Sequence, residues 1–244
     1  MITIDKNTDR QDKSRSQLVF PQLAARFDSF VTITRVLVLG GKAPDSAWLR
    51  QVARGHSVWA IDKGAEACRS AGVRPERALG DFDSISEPGK QWLDSLGIDI
   101  DSYSSDKDLT DFQLALSKCA DKSARILVTG CWGGRFDHAF SNVFSILLGD
   151  DWGANIIALA DESEFLIPVR AGERLTLSFQ SKPLAISLLP LSPICGGVTL
   201  VGAKWSLSDA RLTQGKPCAI SNVASDENVT VKTDDGTLGV YCKF

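Results

Sequence analysis

Acidic residues in two short motifs are the first candidates for chemistry. The first motif is GDFDS, in which Asp81 and Asp83 are two residues apart. In an extended segment their side chains point to one side and Phe82 points to the other. Because close carboxylates repel unless a cation lies between them, and because oxygen ligands suit Mg²⁺, the motif predicts a magnesium site. From the motif alone, a solvated acidic turn explains these residues equally well.

The second acidic motif is DKDLTD, residues 106–111. Asp108 and Asp111 are three residues apart where a helix is predicted to begin, so both can face one site. Thr110 is predicted to cap this helix or to contact a ligand. Lys107 is a natural partner for a phosphate oxygen. Acidic residues also stabilise a helix N-terminus without any ligand, which would by itself account for Asp111.

A glycine-rich loop provides a third motif, GCWGGRFDHAFSN, residues 130–142. A glycine turn between a strand and a helix exposes backbone N–H groups, and the helix dipole favours an anion there. Arg135 adds a planar guanidinium that matches phosphate geometry. Beside Arg135 and Asp137, His138 is a candidate ligand for phosphate or adenine, although a lone histidine is more often structural. Carboxylates, cations and glycine loops together suit phosphoryl-type transfer, in which positioning and charge neutralisation supply most of the catalysis.

Alternating strands and helices are predicted to position these motifs. Between residues 31 and 162, short β-rich runs such as RVLVLGG, SVWAID and RILVTG alternate with helical patterns. This alternation predicts an α/β domain with a mostly parallel sheet. Ligands of such sheets bind outside the carboxyl ends of the strands, where Asp62, Asp81 and Gly130 follow predicted strands. In the last helix, the core stripe is predicted to be Phe136, Phe140, Val143, Phe144 and Leu147.

The two ends of the chain have different patterns. Residues 163–244 contain short β-rich runs separated by Gly, Pro, Asp and Asn, which predicts a small all-β sandwich. The segment KTDDGTLGV carries the signal of a β-hairpin. Residues 1–30 are predicted to be a mobile or peripheral N-terminal extension.

Composition excludes several classes of partner. The chain has 244 residues, of which 43% are hydrophobic, and a net charge of −3. Such a charge gives no general attraction to nucleic acid or to an anionic membrane surface. Without an apolar run of about 18 residues or a secretory signal, a cytoplasmic protein with no membrane partner is expected. The six cysteines form no C-x-x-C pair, which favours reduced core thiols over disulfides or a zinc site.

The order of the motifs resembles that of the thiamine pyrophosphokinase family. From about Val36 to the C-terminus the chain carries Asp62 with KGA, GDFDS, DKDLTD, GGRFDH, GAKWSL and AISN in the family's order. Each motif is weak alone, but their succession is specific. The resemblance implies an N-terminal α/β domain that binds ATP and a C-terminal β-domain that helps to bind thiamine. It also implies a homodimer whose active sites lie between subunits.

The resemblance also implies roles for individual residues. The magnesium and diphosphate site is expected at Asp81, Asp83, Asp108 and Asp111. Nucleotide and substrate contacts are expected at Asp62, Lys107, Thr110, Arg135, Asp137 and His138. Trp205 resembles the family's aromatic residue that stacks on thiamine, with Ser221 and Asn222 as its neighbours. The chain departs from the family at Lys63 and Glu66, where a glycine and an asparagine are common.

The implied reaction is transfer of the diphosphate of ATP to the thiamine hydroxyl, giving thiamine diphosphate and AMP. Mg²⁺ would be the metal, and either Asp81 or Asp108 would accept the hydroxyl proton. Two alternatives are left open. One is a diphosphokinase for another hydroxymethyl heterocycle, such as a pterin, and the other is a non-catalytic nucleotide or thiamine sensor.

Overall fold

The chain divides into two compact units in a computed structural model that describes residues 17–29, 31–104, 106, 108–119 and 124–244. One unit is Ile33–Pro168, and the other joins the described residues before Ile33 to Val169–Phe244. Within the described residues, no helix has both the length and the apolar character needed to cross a bilayer. The predicted contact Lys107 lies outside the described residues.

The segment before Ile33 contains two paired strands, β1 (Gln17–Val19) and β2 (Leu23–Phe27). Leu23 and Phe27 are buried in β2. For residues 17–27, the prediction of a mobile or peripheral extension is therefore wrong. The strand that pairs with β2 on its other side lies about 150 residues further along the chain, so no local pattern announces the pairing.

The first unit is an α/β domain, as predicted. Its elements are β3 (Arg35–Val38), α1 (Ser46–Ala53), β4 (Ser57–Ile61), α2 (Gly64–Ala71), β5 (Arg77–Gly80), α3 (Glu87–Leu96), β6 (Asp99–Ser102), α4 (Asp111–Lys118), β7 (Arg125–Thr129), α5 (Phe136–Trp152), β8 (Asn155–Ala160) and β9 (Glu164–Val169). The strands follow the order β9-β8-β7-β3-β4-β5-β6. All neighbours are parallel except β8 and β9, which are antiparallel. The central strands are almost wholly buried, which is typical of a parallel sheet covered on both faces.

Strand β9 extends this unit beyond the predicted limit at residue 162. The turn before it is built on Asp161, whose buried carboxylate accepts hydrogen bonds from Ser163 N and Glu164 N, both at 2.8 Å. Because the sequence of β9 is as rich in β-forming residues as the strands that follow it, composition alone assigns this strand to the β-domain. Its pairing with β8 assigns it to the α/β unit.

Helix α5 does not bury the stripe that its periodicity predicts. Phe136 is 81% exposed and Phe140 is 55% exposed. Val143, Phe144 and Leu147 are only half-buried. The residues that α5 buries are Ser145, Ile146 and Gly149. A side chain at Gly149 would lie 3.4 Å from Ile156 Cδ1 of β8, so a small residue at this position allows the helix to lie close to the sheet.

The second unit is the predicted all-β sandwich. Its remaining strands are β10 (Arg174–Phe179), β11 (Ala185–Pro190), β12 (Ile194–Val201), β13 (Leu207–Thr213), β14 (Asn228–Lys232) and β15 (Leu238–Lys243). A six-stranded antiparallel sheet has the order β1-β2-β10-β14-β12-β13, and β11 pairs with β15. The predicted hairpin is absent from KTDDGTLGV, because β14 pairs with β10 and β12 whereas β15 pairs with β11.

Candidate functional site

A cleft of about 730 Å³ lies in the α/β unit at the carboxyl ends of its strands. The loops after β3, β4, β5 and β7 and the start of α4 and α5 all reach it, as expected for a parallel sheet. The predicted site residues that line it are Asp62, Asp81, Asp83, Asp108, Thr110, Asp111, Arg135 and His138. The Gly40–Gly41 pair also lines it and was not singled out as a site from the sequence. Two consecutive glycines after a buried strand are the sequence feature that could have indicated their place in the cleft.

Three carboxylates meet at one side of this cleft. Asp62, Asp81 and Asp83 each offer a carboxylate oxygen, and these oxygens lie within 4.8 Å of one another. We call these three residues the acidic cluster. The sheet register explains their proximity, since β4 and β5 are parallel neighbours and Asp62 N donates to Leu79 O at 2.7 Å.

The backbone around the acidic cluster is strained. Asp62 and Phe82 have φ angles of 48° and 56°, in the left-handed region that non-glycine residues rarely adopt. Gly80 has a φ of 150°, and a side chain there would come within 3.0 Å of the Asp62 backbone. Glycine at position 80 therefore allows the strand ends that carry Asp62 and Asp81 to lie this close.

Not every carboxylate oxygen of the acidic cluster has a hydrogen-bond partner among the described residues. Asp62 Oδ2 accepts from Ser84 Oγ at 2.7 Å, and Asp81 Oδ1 accepts from Asp83 N at 3.2 Å. Asp62 Oδ1 is buried and has no hydrogen-bond partner among the described residues. A buried carboxylate oxygen without a partner costs free energy, and a hard divalent cation is a suitable partner for it. The cluster therefore fits Mg²⁺.

Electrostatics within the cleft indicate the same need for a cation. The negative charge of Asp81 is the main reason that the pKa of Asp83 is raised above its ordinary value. Burial, a hydrogen bond with Asp81, and the charges of Asp62 and Asp111 act in the same direction. A bound cation would offset this repulsion.

The acidic cluster contains two of the four predicted metal ligands and one residue that was not predicted as a ligand. Asp62, predicted as a nucleotide contact, joins Asp81 and Asp83. Asp108 and Asp111 line the same cleft but are not part of this three-residue group. Pairing of β4 with β5 gathers the first three, whereas the other two are positioned by the start of α4. The spacing of the aspartates along the chain does not show which of them lie in the cluster and which lie elsewhere in the cleft.

Thr110 caps α4, as predicted. Its Oγ1 accepts from Gln113 N at 3.2 Å, and Gln113 Oε1 accepts from Thr110 N at 3.1 Å. This reciprocal capping box fixes the start of the helix, and with it the position of Asp111 in the first turn.

The loop before α5 supplies the cationic side of the cleft. Arg135 is exposed and pairs with Asp137, with Nε donating to Asp137 Oδ1 at 3.1 Å. This hydrogen bond is the main reason that the pKa of Asp137 is lowered. Asp137 Oδ1 also accepts from His138 N at 3.0 Å. Asp137 therefore contacts Arg135 and the His138 backbone and is absent from the residues that line the cleft.

Cys131 lies in the same loop as a buried packing residue. Burial raises the pKa of its thiol well above the ordinary value, so the sulfur stays protonated. Its carbonyl oxygen accepts from Asn142 Nδ2 at 3.0 Å, which ties the loop to α5.

The predicted thiamine residues form a separate group in the β unit. Asn222 is buried; its Oδ1 accepts from Trp205 N at 3.1 Å and its Nδ2 donates to Trp205 O at 2.7 Å. The Trp205 ring is exposed, with Lys204 Nζ 4.7 Å from its centroid. Ser221 has a φ of 60° and donates from its backbone N to Ser187 Oγ at 3.0 Å. Asn222 thus holds the backbone of Trp205, and the indole is left available at the surface.

Comparison with known proteins identifies the family. The family model "Thiamin pyrophosphokinase, catalytic domain" matches residues 50–157, and "Thiamin pyrophosphokinase, vitamin B1 binding domain" matches residues 168–238. The thiamine pyrophosphokinase of Bacillus subtilis (strain 168) is 32% identical over 169 residues, which cover 68% of this chain and 78% of that protein. The chain belongs to the thiamine pyrophosphokinase family. The predicted site residues that line the cleft fall within the catalytic-domain match, and Trp205 and Asn222 fall within the vitamin B1 binding match.

Further relatives agree with this family. Thiamine pyrophosphokinase 2 of Oryza sativa subsp. japonica is 32% identical over 172 residues, 67% of this chain, and the chain spans 64% of its length. The crystal structure of the thiamine pyrophosphokinase from Bacillus subtilis aligns with a TM-score of 0.76 and 26% identity. That alignment covers 86% of this chain and 98% of the crystal structure's chain. The two-unit architecture is thus the architecture of the family.

Proposed function

We propose that this protein transfers the diphosphate group of ATP to the hydroxyl of thiamine, giving thiamine diphosphate and AMP. The acidic cluster carries the proposal, since its three mutually repelling carboxylates, one of them on a strained backbone, line the cleft and lie within the catalytic-domain match. A protein that only binds thiamine or a nucleotide has no need for that arrangement. Family membership supports thiamine as the acceptor.

Asp62, Asp81 and Asp83 would hold Mg²⁺. When bound, this ion neutralises charge on the phosphate oxygens of the nucleotide. Asp108 and Asp111 add negative charge on the same cleft and are proposed to complete the magnesium and diphosphate site.

The remaining side chains of the cleft bind and orient the substrates. Arg135 and His138 are proposed phosphate and adenine contacts, with Asp137 fixing the direction of the Arg135 guanidinium. Lys63 lines the cleft directly after Asp62 and adds a further positive charge for phosphate. Lys107 and Thr110 stay predicted substrate contacts.

Asp108 is the better candidate for the group that accepts the thiamine hydroxyl proton. A carboxylate beside a bound cation is held in its charged form and is a weak base. Asp81 belongs to the acidic cluster, whereas Asp108 lines the cleft outside that cluster. Its place outside the cluster leaves the Asp108 carboxylate to face the thiamine hydroxyl.

Trp205 is proposed to stack on thiamine. A flat cationic heterocycle is attracted to an indole face, and Trp205 is 55% exposed. Asn222 fixes the backbone that carries this ring. Lys204 lies near one face of the indole, so the cationic ligand is expected to use the opposite face or to displace the ammonium.

A homodimer with active sites between subunits is also proposed. Phe136, Phe140 and Phe144 form a ladder on α5, with ring centroids 6.1 and 4.7 Å apart. An exposed ladder of large apolar rings is typical of a protein–protein contact. Arg135 and His138 of the cleft come from the start of the same helix, so a second copy covering the ladder would lie beside the cleft.

The test is AMP release from ATP with and without thiamine, in the presence of Mg²⁺. We expect AMP and thiamine diphosphate in equal amounts, and neither product when EDTA is present. A parallel reaction with a hydroxymethyl pterin in place of thiamine tests the alternative that the protein is a pterin diphosphokinase. Tight binding of thiamine or ATP without AMP release would instead identify a sensor and overturn the proposal.

A further inference from the structure

Glu66 connects the two chain segments that carry the acidic cluster. It lies in the first turn of α2, four residues after Asp62. Its carboxylate accepts hydrogen bonds from Ser86 Oγ and from Ser86 N, the latter at 3.0 Å. Ser86 follows Asp83 by three residues, at the end of the loop that comes after β5. A single side chain therefore joins the Asp62 segment to the Asp81–Asp83 loop.

Both partners in this contact are held in place by further bonds. Arg69 lies one turn after Glu66, and its Nε and Nη2 are each 3.0 Å from Glu66 Oε2. Ser86 Oγ accepts from Gly89 N at 3.2 Å and so caps α3. Gly89 is the residue that the contact requires, because a side chain there would clash with Glu66 Oε1. We call Glu66 and Ser86, with Arg69 and Gly89, the α2–α3 brace.

The acidic cluster needs such a brace because its own charges push it apart. At the cluster itself, a side-chain hydrogen bond from Ser84 Oγ to Asp62 Oδ2 joins Asp62 to the segment that carries Asp81 and Asp83. One exposed hydrogen bond offsets only part of the repulsion among three adjacent carboxylates. The brace adds hydrogen bonds to a charged acceptor, which are stronger than those between neutral groups.

We propose that Glu66 is a positioning residue that sets the separation of Asp62 from Asp83 through Ser86, and thereby tunes the affinity of the acidic cluster for a divalent cation. The inference rests on the proposed cation site. It does not depend on which acceptor receives the diphosphate. Direct hydrogen-bond partners of metal ligands typically contribute 10–100-fold to metal affinity. Glu66 acts on the cluster through Ser86, so we expect an effect at the lower end of that range.

Three variants test the inference: Glu66→Ala, Glu66→Gln and Glu87→Ala. The probe is Mn²⁺ alone, with free Mn²⁺ followed by electron paramagnetic resonance. Glu66→Ala should weaken Mn²⁺ binding about 10-fold. Glu66→Gln should restore binding to within about 3-fold of the wild type, because its carboxamide oxygen still accepts from Ser86. Glu87 is an exposed acidic residue at the start of α3, and its removal controls for loss of one negative charge.

Activity provides a second readout. For Glu66→Ala, the Mg²⁺ concentration that gives half-maximal AMP release should rise by a similar factor, with most of kcat regained at saturating Mg²⁺. A side chain that only stabilised the fold would lower the unfolding midpoint and leave the Mn²⁺ Kd of the folded protein unchanged. If Glu66→Ala does not fold, Ser86→Ala serves as the second variant, since it removes both hydrogen bonds of the Ser86 hydroxyl and keeps the one from Ser86 N to Glu66.

Two results would overturn the inference. One is an unchanged Mn²⁺ Kd in folded Glu66→Ala or Ser86→Ala. The other is an equal loss in Glu66→Gln and Glu66→Ala, which would mean that charge and not positioning is responsible. Failure of the proposed function is a different result, namely Mn²⁺ binding by the wild type without thiamine-dependent AMP release. A wild type that binds no Mn²⁺ would remove the cation site, and this inference with it.

Discussion

At the scale of single residues, unfavourable features are concentrated in the acidic cluster. Asp62 and Phe82 adopt left-handed backbone angles, Asp62 Oδ1 is buried without a described hydrogen-bond partner, and neighbouring charges raise the pKa of Asp83. Each of these costs stability in the free protein. Such costs are typical of functional sites, where the rest of the fold holds residues in geometries that they would otherwise leave.

Asp83→Asn tests this trade-off between activity and stability. The variant should lose about 100-fold or more in kcat/KM, because one ligand charge of the proposed cation site is removed. In EDTA its unfolding midpoint should equal or exceed that of the wild type, because the repulsion from Asp81 is also removed. Thermal unfolding followed by circular dichroism, beside the AMP-release assay, measures both.

Asp94→Asn is the matched control, since Asp94 is exposed on α3 and lies outside the cleft lining. It should leave both quantities unchanged. Near-normal Mg²⁺-dependent activity of Asp83→Asn would contradict the assignment of Asp83 to the cation site.

At the scale of single elements, helix starts determine where the cleft residues point. Helix α4 begins at the capping box of Thr110 and Gln113, which places Asp111 in the first turn. Helix α5 begins after Arg135, whose side chain makes no capping hydrogen bond and pairs with Asp137 instead. The first of these helices is therefore fixed locally by its own sequence, and the start of the second presents its arginine to the cleft.

Thr110→Ala should lower the free energy of unfolding by about 1 kcal/mol, the usual effect of losing an N-cap. Thr110→Ser keeps a hydroxyl that accepts from Gln113 N and should recover most of that loss. Urea denaturation of the three proteins measures the difference. A destabilisation of Thr110→Ser equal to that of Thr110→Ala would show that the methyl group, and not the cap, is responsible.

At the scale of the whole molecule, the ladder of Phe136, Phe140 and Phe144 determines whether the chain acts alone. If a second copy covers the ladder, the double variant Phe136→Ser, Phe140→Ser should be monomeric in light scattering after gel filtration, whereas the wild type is dimeric. Activity should fall with dimer content if the active sites lie between subunits. Leu184→Ser is the matched control, because Leu184 is 72% exposed and lies in the β unit. A monomeric wild type would contradict the proposed dimer.

Much of this architecture follows from local pattern. Short β-rich runs alternating with helical segments predict the α/β unit, and Thr110 before Asp111 predicts the helix cap that is observed. The acidic motifs and the glycine loop identify most of the side chains that line the cleft. These features are predictable because each depends on residues that are close together in the chain.

Tertiary structure decided what depends on distant partners. Pairing of β4 with β5 put Asp62 into the acidic cluster, and pairing of β2 with β10 made strands of a segment predicted to be peripheral. The apolar stripe of α5 is present in the sequence, but packing against β8 leaves Ser145, Ile146 and Gly149 as the buried residues of the helix. Periodicity specifies that a helix has an apolar face, whereas only packing specifies what, if anything, covers it.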